Sequence, residues 1–98
     1  MPDPLLKKSV AAGDKITLTC KEKYEPEEKT NKNGEKFWCY AFEFHDDNYK
    51  VYKHFATHGE YYHGKGEGTI PLKELNEGQK VEALRIGGSY SHFQFYRL

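Results

Sequence analysis

The sequence predicts an all-β domain, and three features of the 98-residue chain support this fold class. Apolar and polar residues alternate through residues 15–21, which is the period of a half-buried strand. Aromatic residues, which favour strands, make up 15% of the chain. Glycine and short polar residues separate the apolar segments, and no amphipathic helix longer than one turn is evident.

Length and composition indicate a single domain outside the secreted and membrane classes. No apolar run is long enough to span a bilayer, and residues 1–8 lack the apolar core of a signal peptide, so we expect an intracellular, cytoplasmic protein. Two cysteines are too few for a disulfide scaffold and are expected to be reduced. The formal net charge is zero, so any phosphate binding must depend on local lysine patches.

The elements follow from turn residues and apolar periodicity. Residues 1–12, which contain two prolines near the start, are expected to form a flexible leader, and residues 13–98 a single domain. Residues 25–36 are polar and predict a long hairpin loop, while residues 69–75 predict a short helical turn. The five predicted strands cover residues 15–21, 37–45, 49–56, 79–86 and 90–97.

In this order of elements the helical turn lies between strands three and four. Three strands joined by consecutive hairpins, a longer connection and a final hairpin fit a five-stranded OB-like barrel, closed or partly open. An open five-stranded sheet with one covered face is the alternative.

The aromatic hairpin from residue 37 to residue 55 can present either of its faces to the core. Four aromatic residues share one face of the second predicted strand: Trp38, Tyr40, Phe42 and Phe44. Their apolar area favours burial. Pairing Cys20 with Cys39 would instead turn Trp38 and Tyr40 outward, and a shift of one residue reverses the result. Both orientations stay open at the level of sequence.

A turn centred on Asp47 sets the register of the second hairpin. It places Phe42 opposite Tyr52 and Tyr40 opposite His54, so an outward face would be aromatic on both strands. Lysines flank this strip at Lys21, Lys23, Lys50 and Lys53. Unpaired bases stack on such rings at roughly 1–3 kcal/mol per base while lysines hold the phosphates. The structural alternative is that the rings fill the interior and the lysines coat the outside.

Several segments resemble the small OB-fold single-stranded DNA-binding proteins, especially the phage-encoded ones. They are Gly-Asp-Lys-Ile at 13–16, Phe-Trp-Cys-Tyr-Ala-Phe at 37–42, Tyr-Lys-Val-Tyr-Lys-His-Phe at 49–55 and Leu-Lys-Glu-Leu-Asn-Glu-Gly-Gln-Lys-Val at 72–81. The resemblance covers most of residues 13–97. It implies a role in DNA replication and binding at the exposed face of strands two and three. The chain departs from the family in its neutral charge and in the acidic residues Glu25, Glu27 and Glu28.

We therefore expect non-specific binding of single-stranded DNA or RNA by base stacking. The glycine-rich segment 59–68 and the loop 25–36 would close over the strand. The expected binding residues are Lys21, Lys23, Trp38, Tyr40, Lys50, Tyr52, His54, Tyr61, Tyr62 and Lys65. The alternative is a protein–protein interaction module that uses the same surface to bind a partner protein or another copy of the chain. A carbohydrate-binding barrel is a third possibility, since sugars also stack on rings.

Neither a catalytic nor a metal site is predicted, and no cofactor is expected. His54, His58 and His63 lie outside any helix that would bring histidines four apart together, and Cys20 and Cys39 are not paired as Cys-x-x-Cys. The glycines of residues 64–68 lack the phosphate-loop pattern, and no serine has the flanking glycines of a nucleophile.

Overall fold

The computed structural model describes residues 3–88 and 92–98. The short helix α1 (Leu6–Ser9) precedes strands β1 (Lys15–Lys23), β2 (Glu27–Thr30), β3 (Lys36–His45) and β4 (Val51–Ala56). Helix α2 (His58–Tyr62) and a 3-10 helix (Leu72–Glu74) follow, and β5 (Lys80–Ile86) and β6 (His92–Arg97) end the chain. The all-β class is confirmed, as is the helical turn before β5. The predicted last strand began at residue 90, and its first two residues lie outside the described ranges.

The strands form one antiparallel sheet in the order β4-β3-β1-β5-β6, with β2 as an additional strand. β2 pairs with the first half of β3, while β1 pairs with its second half. The prediction of a long loop at residues 25–36 was wrong, because Asn31 closes a tight turn inside it. The Oδ1 atom of Asn31 accepts hydrogen bonds from the backbone N–H groups of Asn33 and Glu35.

The sheet is open, so the closed form of the predicted five-stranded barrel is not found. Within the described ranges no ladder joins β4 to β6, because other segments occupy both edges. The N–H of Lys53 on β4 donates to the carbonyl of Pro4 at 2.9 Å, and the carbonyl of Phe95 on β6 accepts from Ile70 at 2.8 Å. Aromatic rings of β4 and β6 meet across the gap between these strands instead. The ring centroids of His54 and Phe93 are 5.4 Å apart.

Both predicted hairpin registers were wrong. Cys20 pairs with Phe44 rather than Cys39, and a bulge between Cys20 and Glu22 shifts the β1–β3 register. On the other side of β3, Phe42 pairs with His54 rather than with Tyr52, so the observed register is displaced by two residues from the predicted one. The turn is longer than predicted because Oδ1 of Asp46 accepts the N–H groups of residues 48 and 50. A two-residue shift leaves the same side chains on each face.

The aromatic face of β3 is the core face. Tyr40, Phe42 and Phe44 are 3%, 1% and 0% exposed, and they pack against residues of β1, β5 and β6. The expectation of burial from apolar content was correct for Tyr40, Phe42 and Phe44, and the outward orientation derived from the Cys20–Cys39 pairing was wrong for Tyr40. Trp38 is 55% exposed because its strand neighbour there is β2, whose residues are all exposed.

The segment expected to be a loose leader packs on the sheet over much of its described length. Leu6 in α1 is fully buried and Val10 is 9% exposed. Leu5 forms a parallel bridge with Lys53. The apolar side chains and this backbone pairing hold the segment against β4. In the described ranges no helix has the length and apolar character to cross a membrane.

Candidate functional site

Four of the predicted binding residues are buried and cannot stack on a ligand. They are Tyr40, Tyr52, His54 and Tyr61, with exposed fractions of 3%, 6%, 4% and 7%. The Tyr40 and Tyr61 rings stack on each other at 4.1 Å between centroids. The Tyr52 hydroxyl donates to Asp46 at 3.1 Å. Tyr40 lies on the inward face of β3 and Tyr52 and His54 on the inward face of β4, while Tyr61 of α2 packs onto Tyr40.

Two of the remaining six predicted residues contact these rings. Tyr62 packs edge-on against Tyr40 and Tyr61, and Nζ of Lys50 lies 5.4 Å from the centroid of the Tyr52 ring. Lys21, Lys50 and Lys65 are exposed, but Lys23 is half-buried and its Nζ donates to the carbonyl of Lys73 at 2.5 Å. Trp38 is 55% and Tyr62 37% exposed. The strip of stacking rings predicted from sequence is therefore not a surface of this molecule.

The opposite face of β3 and β4 carries two exposed rings that the sequence analysis did not select. Phe37 is 47% and Phe55 52% exposed. Phe55 pairs with Ala41, and Lys53 with Glu43, so these side chains point away from the core. The signal was present in the sequence: once the even-numbered aromatics of β3 are buried, the odd-numbered positions must face outward.

A concave site of about 310 Å³ lies on this outer face, and we call it the outer-face site. It is bounded by β3, β4 and the segment between β1 and β2. Its lining residues are Tyr24, Glu25, Glu27, Lys29, Cys39, Ala41, Phe42, Glu43, Lys53 and Phe55. Of the predicted residues, none of the ten lines it.

Tyr24 crosses one side of the outer-face site. Its backbone N–H donates to the carbonyl of Ala41 at 3.1 Å, which holds the chain against β3 just after the bulge in β1. Its hydroxyl oxygen lies 2.5 Å from Oε2 of Glu43 and 3.0 Å from Oε2 of Glu22. The ring is 41% exposed, so an aromatic surface and a carboxylate stand side by side.

The hydrogen bond between Tyr24 and Glu43 shifts the pKa values of both groups. The Tyr24 hydroxyl lowers the pKa of Glu43, and a hydrogen bond with Glu22 and the charges of Lys21 and Lys53 lower it further against the opposing effect of burial. The carboxylates of Glu43 and Glu22 in turn raise the pKa of Tyr24. Glu43 is therefore ionised and Tyr24 protonated at neutral pH.

The charge of the outer-face site is mixed. Three carboxylates line it, those of Glu25, Glu27 and Glu43, against the ammonium groups of Lys29 and Lys53. The site offers flat apolar rings, hydrogen-bond acceptors and two cations within one concavity. Such a site can stack a planar group and accept hydrogen bonds from it.

A second polar cluster lies inside the core. Glu60 is 1% exposed, and its Oε1 accepts from Nε2 of His54 at 3.0 Å and from the backbone N–H of Thr57 at 2.8 Å. Its Oε2 accepts from the backbone N–H of Phe93 at 2.5 Å. The cluster ties β4, α2 and β6 together, and its acceptors are used within the fold.

Metal-binding geometry is not found in the part of the chain that the structure describes. No group of three or more histidine, cysteine, aspartate or glutamate side chains there is arranged to hold an ion. Cys20 and Cys39 are both free thiols.

No protein-family model, curated protein or solved structure matches this chain.

Proposed function

We propose that the protein binds single-stranded nucleic acid, DNA or RNA, at the outer-face site. The observation that carries the proposal is the pair of half-exposed rings, Phe37 and Phe55, on a sheet face that also bears a concave site of about 310 Å³. A half-exposed aromatic ring on a flat sheet gives an unpaired base a stacking surface. Lys29 and Lys53 line the same site and are placed to contact the flanking phosphates.

The topology supports an OB-like assignment as part of this proposal. The order β4-β3-β1-β5-β6, curled so that β4 and β6 meet through their rings, corresponds to a five-stranded barrel that is left partly open. In OB folds the outer face of the second and third barrel strands binds oligonucleotides, and these strands correspond to β3 and β4 here. The β2–β3 hairpin takes the position of the loop that borders that face.

Stacking supplies most of the affinity in this proposal, because the site has few cations. Two lysines line the outer-face site, and Lys21 is exposed on the neighbouring strand β1. Each phosphate contact on a single strand contributes about −0.7 to the slope of log affinity against log salt. Two or three contacts therefore predict a slope of about −1.4 to −2.1.

The experiment is a fluorescence anisotropy titration of a labelled thymidine oligomer with wild-type protein and with Phe55→Ala. Loss of one stacking ring is expected to weaken binding about 5- to 100-fold, which corresponds to roughly 1–3 kcal/mol. Tyr49→Asn is the matched control, because Tyr49 is an aromatic side chain with 78% exposure in the β3–β4 turn, outside the site. Asparagine tolerates the positive φ of 63° at this position.

The control variant should bind as wild type does. Failure of the wild-type protein to bind the oligomer even at low salt would rule out the proposed function. Equal binding by wild type and Phe55→Ala would rule out the outer-face site as its location.

The excess of carboxylates in the outer-face site favours one second candidate, a protein-interaction module. Three carboxylates beside exposed rings suit a basic side chain of a partner protein or of another copy of the chain. Two results together would favour this candidate. The wild-type protein would self-associate in sedimentation experiments while Phe55→Ala would not, and neither would bind the oligonucleotide.

A further inference from the structure

One side chain of the outer-face site has no part in non-specific stacking. Glu43 is only 8% exposed, yet it lines the concave site on the strand between the rings of Tyr24 and Phe55. Stacking and phosphate contact require rings and cations, and a buried carboxylate beside them repels phosphate. An ionised carboxylate that is nine-tenths buried also carries a desolvation cost, which hydrogen-bond donors must offset. The Tyr24 hydroxyl is one such donor, and a ligand that occupies the site can supply others.

The oxygen atoms of Glu43 and Tyr24, which line the site, are hydrogen-bond acceptors. Ionised Glu43 can only accept, and the Tyr24 hydroxyl hydrogen lies toward its Oε2 at 2.5 Å. The Glu22 carboxyl also lies within hydrogen-bond reach of Glu43, and Lys53 on the neighbouring strand forms no ion pair with Glu43. Tyr24 engages Oε2, so the remaining lone pairs of the carboxylate can accept hydrogen bonds from an occupant.

The four bases differ in how well they match such a site. Guanine carries two adjacent donors on its Watson–Crick edge, the N1–H and the 2-amino group, which form a fork that a carboxylate accepts with both oxygens. Thymine has one N–H between two carbonyls, and cytosine and adenine have an amino group beside a ring nitrogen acceptor. Their acceptors would face the Glu43 carboxylate or the Tyr24 oxygen.

We propose that the outer-face site reads the Watson–Crick edge of one base through Glu43 and Tyr24, and that it selects guanine. This inference rests on the proposed function and deepens it by naming the base that occupies the site. The base stacks on the exposed rings while Glu43 accepts its two donors, and the lysines contact the flanking phosphates. The chain would then bind single strands generally, with one guanine-selective position.

The test uses three labelled oligomers: all thymidine, thymidine with one central deoxyguanosine, and thymidine with one central deoxyinosine. Inosine keeps the N1–H of guanine and lacks only the 2-amino group. A bidentate contact is expected to make the guanine oligomer bind about 5- to 100-fold more tightly than the thymidine oligomer. The inosine oligomer should lose most of this advantage, because half of the fork is missing.

Glu43→Gln is the decisive variant, and Glu28→Gln is its control. Both remove one negative charge, but Glu28 is exposed on β2 and does not line the site. Glu43→Gln should abolish the guanine preference while thymidine binding persists or strengthens, and Glu28→Gln should keep the preference. Circular dichroism establishes that each variant is folded. If Glu43→Gln does not fold, Tyr24→Phe, which keeps the ring and removes the hydroxyl, should reduce the preference.

The outcomes separate this inference from the proposed function. Equal affinity of the wild-type protein for the three oligomers would overturn guanine selection and leave single-strand binding in place. Binding of none of them would overturn both. A guanine preference that persists in Glu43→Gln and in Tyr24→Phe would also overturn the assignment to these two side chains.

Discussion

Replacing Glu60 by glutamine tests whether the buried carboxylate stabilises the sheet in the way that its contacts indicate. The two Glu60 oxygens accept three hydrogen bonds, from His54, Thr57 and Phe93. Glutamine has the same size but only one acceptor oxygen. In either orientation its NH2 group must face a buried N–H, that of Phe93 or those of Thr57 and His54. The substitution therefore changes charge and hydrogen bonding while leaving the packing volume unchanged.

The expected loss follows from these contacts. A buried donor left without an acceptor costs about 1–3 kcal/mol, and a hydrogen bond to a charged group is worth roughly 1.5–3 kcal/mol, against about 1 for a neutral one. Losing one bond and weakening the other two predicts a loss of about 3 kcal/mol in the free energy of unfolding. For a domain of this size that corresponds to a fall of about 12–24 °C in Tm. Glu74→Gln, at an exposed glutamate, should stay within about 0.5 kcal/mol of wild type.

The loss should also depend on pH in a defined direction. Burial alone would raise the pKa of Glu60, but the hydrogen bond and charge of His54 and the N–H groups of Phe93 and Thr57 lower it overall from its ordinary value of 4.5. A carboxyl whose pKa is lowered by folding stabilises the native state above its ordinary pKa, and this contribution disappears as pH falls through the folded pKa. The difference between wild type and Glu60→Gln should be largest above pH 4.5 and should shrink in acid.

Urea unfolding followed by circular dichroism, repeated at neutral and acidic pH, measures this difference directly. If Glu60→Gln unfolds at the same urea midpoint as the wild-type protein, the three hydrogen bonds of Glu60 do not stabilise the fold as argued. A difference that is the same at neutral and acidic pH would instead show that the effect does not come from the ionised carboxylate.

Two further predictions concern two positions along the aromatic face of β3 and two thiols of unequal burial. Tyr40→Ala should lower the free energy of unfolding by about 3–5 kcal/mol because Tyr40 is 3% exposed. Trp38→Ala, at 55% exposure, should lower it by less than about 1 kcal/mol, and urea titrations that show equal losses would contradict the conclusion that the core ends between these two residues. Iodoacetamide should modify half-buried Cys39 before Cys20, because burial raises the pKa of the Cys20 thiol to about 11, and peptide mass mapping that finds Cys20 modified first would contradict this order.

The fold was predictable where a local pattern determines it. The alternation of residues 15–21 corresponds to β1, and the aromatic strands correspond to β3 and β4. Helix α2 also has a local signal in the sequence, since Thr57 and Glu60 form a capping box. Strand β2 had none, because its four residues are polar and exposed, and only pairing with β3 makes them extended.

The candidate site was not predictable for a different reason. Which face of β3 is buried depends on the register with β1, and that register changes at the bulge between Cys20 and Glu22. A bulge in a polar strand end leaves no periodicity to detect. Counting residues from the centre of the loop also paired Cys20 with Cys39, five residues from its observed partner, Phe44, because the turn lies later in the chain, at residues 31–35 between β2 and β3. The apolar content of the face was the better guide because burial of large rings outweighs any single turn.

The two buried carboxylates show how the same chemical group takes different roles in one sheet. Both Glu60 oxygens accept hydrogen bonds from groups within the fold, so this side chain has a structural role. Its replacement should therefore lower the free energy of unfolding. Glu43 is engaged on Oε2 by Tyr24 and lines an open concavity. A carboxylate with a complete set of internal donors is structural, and one with an incomplete set beside exposed rings can still bind. Glu43→Gln should therefore change which base binds much more than it changes the free energy of unfolding, and Glu60→Gln should do the reverse.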